Sequence, residues 1–203
     1  MMKSIDTSYA QARVPGDRGP AIANSALGML AFIVTELMFF ASLISAFLII
    51  SAPAQAAGTW PPEGQPRLPV FLTAINSLFL FASGYSLHRA FGSFDDSAQG
   101  DQVKKFVKAS FWLGCLFVAI QGFEWIRLIS YGLTMTSSQY GSFFYLIIGT
   151  HALHAIAALI GLRRAQGKLL RGVLRRSTLQ AVLFFWYFVV GIWPALYILV
   201  YLS

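Results

Sequence analysis

Five long apolar segments alternate with short polar segments along the chain. The apolar runs cover residues 25–50, 69–88, 106–129, 140–162 and 178–202. Each is close to the ~20 residues that an α-helix needs to cross a hydrocarbon core about 30 Å thick. The pattern therefore predicts an all-α integral membrane protein built as a bundle of five transmembrane helices.

The polar residues before the first apolar run predict a separate segment. Residues 1–24 contain Pro15 and Pro20 and lack a long apolar stretch. The first apolar run starts too late and is too long for a cleaved signal peptide. We therefore expect an N-terminal arm over residues 1–24 and one membrane domain over residues 25–203.

Composition supports this division of the chain. The sequence is 57% hydrophobic and 11% charged, with a mean hydropathy of +0.64. The charged residues lie almost wholly between the apolar runs, so the net charge of +7 is explained without nucleic acid. We predict no nucleic-acid partner.

The basic residues predict the orientation in the membrane. Thirteen of the 15 Lys and Arg residues fall on one side of the predicted bundle, and Arg67 and Arg127 fall on the other. Basic residues in short loops are retained in the cytoplasm during insertion. This distribution predicts a cytoplasmic N-terminus and an external C-terminus.

Two loops differ in composition in the way this orientation requires. The external loop, residues 52–68, contains Trp60-Pro61-Pro62 and is predicted to be a stiff, non-helical cap. The cytoplasmic loop, residues 163–176, holds six basic residues and no acidic one. Anionic lipids attract each such cation by about 1 kcal/mol. The basic loop is explained either by topology alone or by a contact with lipid or a partner.

Glu36 is a candidate functional residue because it lies near the middle of the first predicted span. A charged side chain at that depth costs at least about 2.5 kcal/mol, so this carboxyl must be neutral or have a partner. Thr35, Ser42, Ser45 and Ala46 are small and would let another helix approach it. Two roles stay open: a hydrogen-bonded interhelical acid and a proton relay.

Two histidines in the fourth span are the expected neighbours of this acid. His151 has a depth that matches Glu36, so a contact between them is expected, and His154 follows three residues later. Such a pair binds metal when another helix supplies more ligands. No acidic residue stands three or four positions away, and Cys115 is the one cysteine. We therefore predict no metal site.

Glu124 and Arg127 lie three residues apart near the outer end of the third span. That spacing brings side chains together on a helix and predicts a structural ion pair. The chain lacks the motifs of phosphate-binding loops, nucleophile elbows and zinc proteases. No catalytic residue is predicted.

Six short motifs follow one another along the chain and together resemble subunit III of the haem-copper oxidase superfamily. Each motif alone is weak, but their order along the predicted helices is specific. The motifs are Thr35-Glu36-Leu37-Met38-Phe39-Phe40, Trp60-Pro61-Pro62, Leu72-Thr73-Ala74-Ile75-Asn76-Ser77, Gln121-Gly122-Phe123-Glu124-Trp125, Tyr140-Gly141-Ser142-Phe143-Phe144 and Gly149-Thr150-His151-Ala152-Leu153-His154.

The last predicted helix departs from the family. Family members usually read Trp-His-Phe-Val-Asp-x-x-Trp where this chain has Tyr187 in place of His and Val190 in place of Asp. The polar contact that those two residues make in relatives is therefore expected to differ here. The chain has five predicted spans rather than seven, and in this it resembles the shorter bacterial form of the family.

The resemblance implies an accessory subunit of an oxidase that reduces oxygen to water and pumps protons. Such a subunit packs against subunit I, beside subunit II and a small subunit, in the bacterial inner (cytoplasmic) membrane. Haem and copper belong to the partner subunits, and this chain is expected to bind phospholipid and to support proton uptake and the durability of the active site. It carries no redox centre of its own.

The resemblance also implies where polar contacts belong in this chain. Glu36 is the candidate proton-linked acid. Interhelical or lipid-cleft contacts are expected at the other polar positions. These are His151, His154, Glu124, Arg127 and Tyr187.

Two alternatives remain at this point. The first keeps the family and makes this chain the matching subunit of a quinol oxidase or of a nitric oxide reductase complex, since the donor and acceptor sites lie on other subunits. A different class of protein, a small membrane transporter, would use Glu36 and His151 to line a pathway.

Overall fold

The computed structural model describes residues 24–59, 68–95 and 100–202. This part of the chain contains helices and no strand, and all five helices are long and apolar enough to cross a membrane. The prediction of an all-α, five-helix membrane protein is confirmed. The helices are α1 (Asn24–Ala56), α2 (Val70–Gly92), α3 (Asp101–Ser130), α4 (Gln139–Leu170) and α5 (Arg176–Tyr201).

The first helix ends later than the sequence predicted. A non-helical segment was expected from residue 52, but α1 continues through Pro53 to Ala56. Proline removes one backbone donor, and near a helix end this loss is small. Gly58 then adopts a φ of 68°, a left-handed conformation that glycine tolerates and that ends a helix. Trp60-Pro61-Pro62 and residues 1–23 lie outside the described residues.

Helix α5 is the centre of the packing. It contacts α1, α2 and α4, while α3 contacts α2 and α4. Helices α2, α3, α4 and α5 therefore form a four-helix ring, and α1 lies outside it against α4 and α5. The buried residues of α1 are Ala26, Phe40, Phe47 and Ser51. Most of the surface of α1 consequently faces outward.

Two buried tryptophans of α5 are hydrogen-bonded to serines of α2. Trp193 Nε1 donates to Ser77 Oγ at 2.8 Å, and Trp186 Nε1 donates to Ser83 Oγ at 3.1 Å. The two tryptophans are seven residues apart, about two helical turns, so they lie on one face of α5. Small serines allow the close approach, and the bonds satisfy indole N–H groups that lipid cannot satisfy.

Helix α2 is joined to α3 by polar side chains that reach backbone carbonyls. Ser83 Oγ donates to the Ser110 carbonyl oxygen at 2.8 Å, and Asn76 Nδ2 donates to the Phe117 carbonyl oxygen at 3.1 Å. All four residues are buried. These bonds fix the rotation of α2 against α3.

Large apolar side chains point away from the bundle. Met38, Phe71 and Leu153 are 68%, 79% and 68% exposed, respectively. In water such a surface would cause association, but in a bilayer it is solvated by acyl chains. The outward surface therefore agrees with a membrane-spanning bundle.

Gly114 of α3 permits the packing of Trp186. A Cβ atom at Gly114 would lie 2.8 Å from the Trp186 ring and 2.9 Å from Leu159 Cδ2. Trp186 is fully buried, so its ring has no room to move. A residue with a side chain at this position would push α3 away from α4 and α5.

We predict that Gly114→Ala destabilises the bundle. Overpacking of a filled core costs about 1–3 kcal/mol, which exceeds the gain of up to about 1 kcal/mol from replacing a helical glycine by alanine. Thermal unfolding in detergent, followed by circular dichroism, should show a lower Tm.

Gly149→Ala is the matched control, because a Cβ atom at Gly149 of α4 meets no atom within 4 Å. Its Tm should stay equal or rise. An unchanged Tm for Gly114→Ala would contradict the packing described here.

Candidate functional site

A polar pair at membrane depth joins the outer helix to the ring. Glu36 Oε2 of α1 lies 2.9 Å from His154 Nε2 of α4. The side chains are 18% and 15% exposed, respectively. Each therefore supplies the partner that a polar group needs inside a bilayer.

The second nitrogen of His154 determines the proton content of this pair. Its Nδ1–H donates to the Thr150 carbonyl oxygen at 2.8 Å. A carbonyl oxygen can only accept, so Nδ1 holds a hydrogen. Nε2 then either accepts from a protonated Glu36 or, in an imidazolium, donates to the carboxylate. In both states one proton lies between Nε2 and Oε2, and it can belong to either residue.

Aromatic rings enclose the pair. The ring centroid of His154 lies 5.4 Å from Phe40, 5.9 Å from Phe188 and 6.3 Å from Phe185. Phe185 and Phe188 stack on each other at 6.3 Å. This surrounding is apolar, so an interaction between Glu36 and His154 is weakly screened.

The predicted contact between Glu36 and His151 is wrong, because the acid meets His154. Successive helical residues differ by about 100°, so positions three apart differ by about 60° around the axis. His151 consequently turns toward α5, where its ring lies 5.1 Å from the Trp193 ring. It is 2% exposed, and neither of its ring nitrogens has a hydrogen-bond partner among the described residues.

The small residues near Glu36 do not form its covering surface as expected. Thr35, Ser42 and Ser45 are exposed, and Ala46 is half-buried. The hydroxyls of Thr35 and Ser42 donate to carbonyls of their own helix. The phenylalanine rings described above cover the pair instead, because they occupy the faces of α1 and α5 that are turned toward α4.

A second polar cluster joins α2, α3 and α5. Glu124 Oε2 accepts hydrogen bonds from Thr73 Oγ1 at 2.9 Å and from Gln121 Nε2 at 3.0 Å. Gln121 Nε2 also donates to Tyr201 Oη at 2.9 Å. All four residues are buried. Gln121 and Glu124 are three residues apart on α3, whereas Thr73 and Tyr201 are distant in the sequence and no pattern indicated that they are neighbours.

The predicted ion pair between Glu124 and Arg127 is wrong. Both residues belong to the part of the chain that the structure describes, and no salt bridge joins them there. Glu124 is 2% exposed and points into the bundle, while Arg127 is exposed. The carboxyl finds hydroxyl and amide donors on the inward face, and the guanidinium remains at the surface.

Tyr187 and Val190 of α5, the two residues that differ from the family pattern, both contact α2. Tyr187 Oη lies 2.5 Å from His88 Nδ1. The methyl groups of Val190 lie 3.4 Å from the position that a Cβ atom would take on Gly84. A tyrosine and a valine thus make a polar and an apolar contact with the same neighbouring helix.

The described residues contain no group of three or more His, Cys, Asp and Glu side chains that could hold a metal ion. Both nitrogens of His154 are already engaged, and Cys115 is a half-buried free thiol. The arrangement of these polar groups therefore favours hydrogen bonding and proton sharing.

Comparison with known proteins identifies the family. The family model for cytochrome c oxidase subunit III matches residues 7–203. A probable cytochrome c oxidase subunit 3 of Mycobacterium leprae is 34% identical over 185 residues, covering 86% of this chain and 86% of that protein. The cytochrome c oxidase subunit 3 of Synechocystis sp. is 27% identical over 214 residues, covering 100% of this chain and 85% of that protein.

The motifs, the helices and these similarities agree. Four of the five membrane-spanning helices, α1 to α4, carry the ordered motifs, including the acid Glu36 of α1 and the two histidines of α4. The family match extends over most of the chain, and the relatives are covered over most of their length. This chain belongs to the cytochrome c oxidase subunit III family of the haem-copper oxidases.

Proposed function

We propose that this chain is the accessory subunit III of a cytochrome c oxidase in a bacterial cytoplasmic membrane. Its family implies a complex with other oxidase subunits. In this proposal it packs against subunit I, beside subunit II and a small subunit, and haem and copper lie in those partners. Relatives named cytochrome c oxidase subunit 3 favour this assignment over a quinol oxidase, a nitric oxide reductase complex or a transporter.

The pair of Glu36 and His154 carries the proposed role in proton uptake. The two groups lie 2.9 Å apart, which is the distance of a hydrogen bond. An acid and a base in such contact can take up a proton from one side and release it again with little movement. We propose that this pair supports proton delivery to the catalytic subunit and thereby the working life of the active site.

Phospholipid binding is the third part of the proposal. The outward surface is rich in exposed Leu, Ile, Phe and Met side chains. At the cytoplasmic end of α4, Arg163, Arg164 and Lys168 are exposed. Cations beside an anionic leaflet gain about 1 kcal/mol each, so lipid headgroups are suitable partners for this end of the bundle.

We predict that Glu36→Gln separates assembly from proton delivery. The amide keeps the shape of the side chain and can donate to His154 Nε2, so the oxidase should assemble with an unchanged haem content. Without an exchangeable acidic proton, turnover should slow, or activity should be lost several-fold faster during turnover. Oxygen consumption and the haem spectrum of the purified complex measure both effects.

Carbodiimide labelling tests the state of the same carboxyl. An apolar carbodiimide should modify Glu36 in preference to the exposed Asp95, and labelling should disappear in Glu36→Gln.

Glu124 of α3 supplies the control for the turnover measurement. Glu124→Gln removes a carboxyl that does not contact histidine, and it should leave the working life of the oxidase unchanged. Normal turnover and lifetime in Glu36→Gln would reduce Glu36 to a packing residue. Absence of labelling would mean a carboxylate held by an imidazolium.

We predict that the N-terminus is cytoplasmic and that the loop after α1 is external. In a Cys115→Ser background, cysteine introduced for Trp60 should react with an impermeant thiol reagent on cells with an intact cytoplasmic membrane. Cysteine introduced for Lys168 should react only after lysis. The reverse pattern would overturn the proposed orientation.

A further inference from the structure

A cavity of about 140 Å³ lies between α3 and α4. Its wall includes Gln121 and Trp125 of α3, His151 and Ala155 of α4, and Trp193 of α5. Most of the remaining wall is aliphatic or aromatic. Neither Glu36 nor His154 lines the cavity. The cavity is therefore separate from the site proposed for proton uptake.

Polar atoms of three wall residues have no hydrogen-bond partner among the described residues. They are both ring nitrogens of His151, Oε1 of Gln121 and Nε1 of Trp125. His151 is 98% buried, since only 2% of it is exposed. Native proteins rarely leave buried polar atoms unpaired, and a bound molecule with hydrogen-bonding groups would satisfy these atoms. The cavity therefore calls for a ligand with hydrogen-bonding groups.

The size and chemistry of the cavity select a flat ring over a cluster of water. A protein cavity of about 150 Å³ accommodates benzene, whereas each buried water needs about 2–4 polar partners. One imidazole nitrogen and the indole N–H are donors, and the other imidazole nitrogen and Gln121 Oε1 are acceptors. Carbonyl oxygens on a ring can accept hydrogen bonds from the imidazole and indole N–H groups. Hydroxyl groups on a ring can also donate to the free imidazole nitrogen and to Gln121 Oε1.

An apolar groove continues from the cavity along the same two helices. It has a volume of about 310 Å³, is lined by Phe111, Cys115 and Ile160, and shares Ile156 with the cavity. At its far end the groove reaches Arg163 and Arg164. Ile156 is 44% exposed, so the junction opens toward the lipid-facing surface. A ligand with an apolar tail can enter from the bilayer and lay that tail along the groove.

We propose that the cavity between α3 and α4 binds a quinone or quinol with an apolar tail. The ring lies between Trp125 and Trp193 and is hydrogen-bonded to His151, and the tail follows the groove past Ile156. The proposal concerns binding alone and involves no electron transfer. It does not depend on the role proposed for Glu36.

The test uses the full chain in phosphatidylcholine nanodiscs and an azidoquinone with a decyl tail. After illumination, mass spectrometry should find saturable labelling of peptides that contain residues 117–125 or 148–156. Unlabelled decylquinone should compete for the site. Decylbenzene, which has the same tail and no oxygen, should fail to compete.

Two glycines provide matched variants. A Cβ atom at Gly122 or at Gly149 meets no atom within 4 Å, and Gly122 alone of the two lines the cavity. Gly122→Leu should fill the cavity and weaken binding at least tenfold, while Gly149→Leu should bind like the parent. His151→Leu removes the central hydrogen-bonding group and should also weaken binding at least tenfold. Circular dichroism confirms that each variant is folded.

Three results would overturn the proposal. Labelling that rises with probe concentration without saturation would mean simple partition into the bilayer. Unchanged affinity in folded Gly122→Leu or His151→Leu would place the ligand elsewhere. Equal competition by decylbenzene would mean that the cavity takes acyl chains and that His151 is satisfied by water.

Discussion

The fold depends on one constraint, which is that polar side chains at bilayer depth need hydrogen-bond partners that acyl chains do not supply. Helix α5 meets it with three residues on one face. Trp186 and Trp193 donate to serines of α2, and Tyr201 accepts a hydrogen bond from Gln121 of α3. Because these bonds have fixed positions along α5, they set both its rotation and its register against α2 and α3.

The outer helix is attached by a different combination of forces. Helix α1 buries few residues. Its polar contacts with the ring include Glu36 with His154 near mid-helix and Ser25 Oγ with the Ser177 carbonyl oxygen of α5 at the start of the helix. Phe40 of α1 and Phe188 of α5 pack beside the contact of Glu36 with His154, at 5.9 Å from each other. Structural attachment and proton sharing thus involve the same two residues, so a conservative variant such as the glutamine is needed to separate them.

Hydropathy predicted the number of the helices and their apolar middle parts, because a span needs a minimum apolar length. It did not predict that α1 and α4 continue beyond the apolar runs, to Ala56 and Leu170. It also did not predict rotation about each helix axis. Glu36 lies within α1 as expected, but its partner is His154, one helical turn from the expected His151. The same limitation explains Glu124, whose inward rotation gives it Thr73 and Gln121 as neighbours in place of Arg127. The rotation of a helix about its axis is determined by tertiary contacts, and these join residues that are far apart in the sequence.

The most direct test of the assignment is purification of the tagged chain from its own membranes in mild detergent, followed by a visible spectrum and metal analysis. We expect the larger oxidase subunits to copurify, together with the absorption bands of haem and with copper. After dissociation of the complex, the isolated chain should contain neither haem nor copper. A chain that purifies alone from active membranes, or one that retains stoichiometric haem or copper after dissociation, would contradict the assignment as an accessory oxidase subunit.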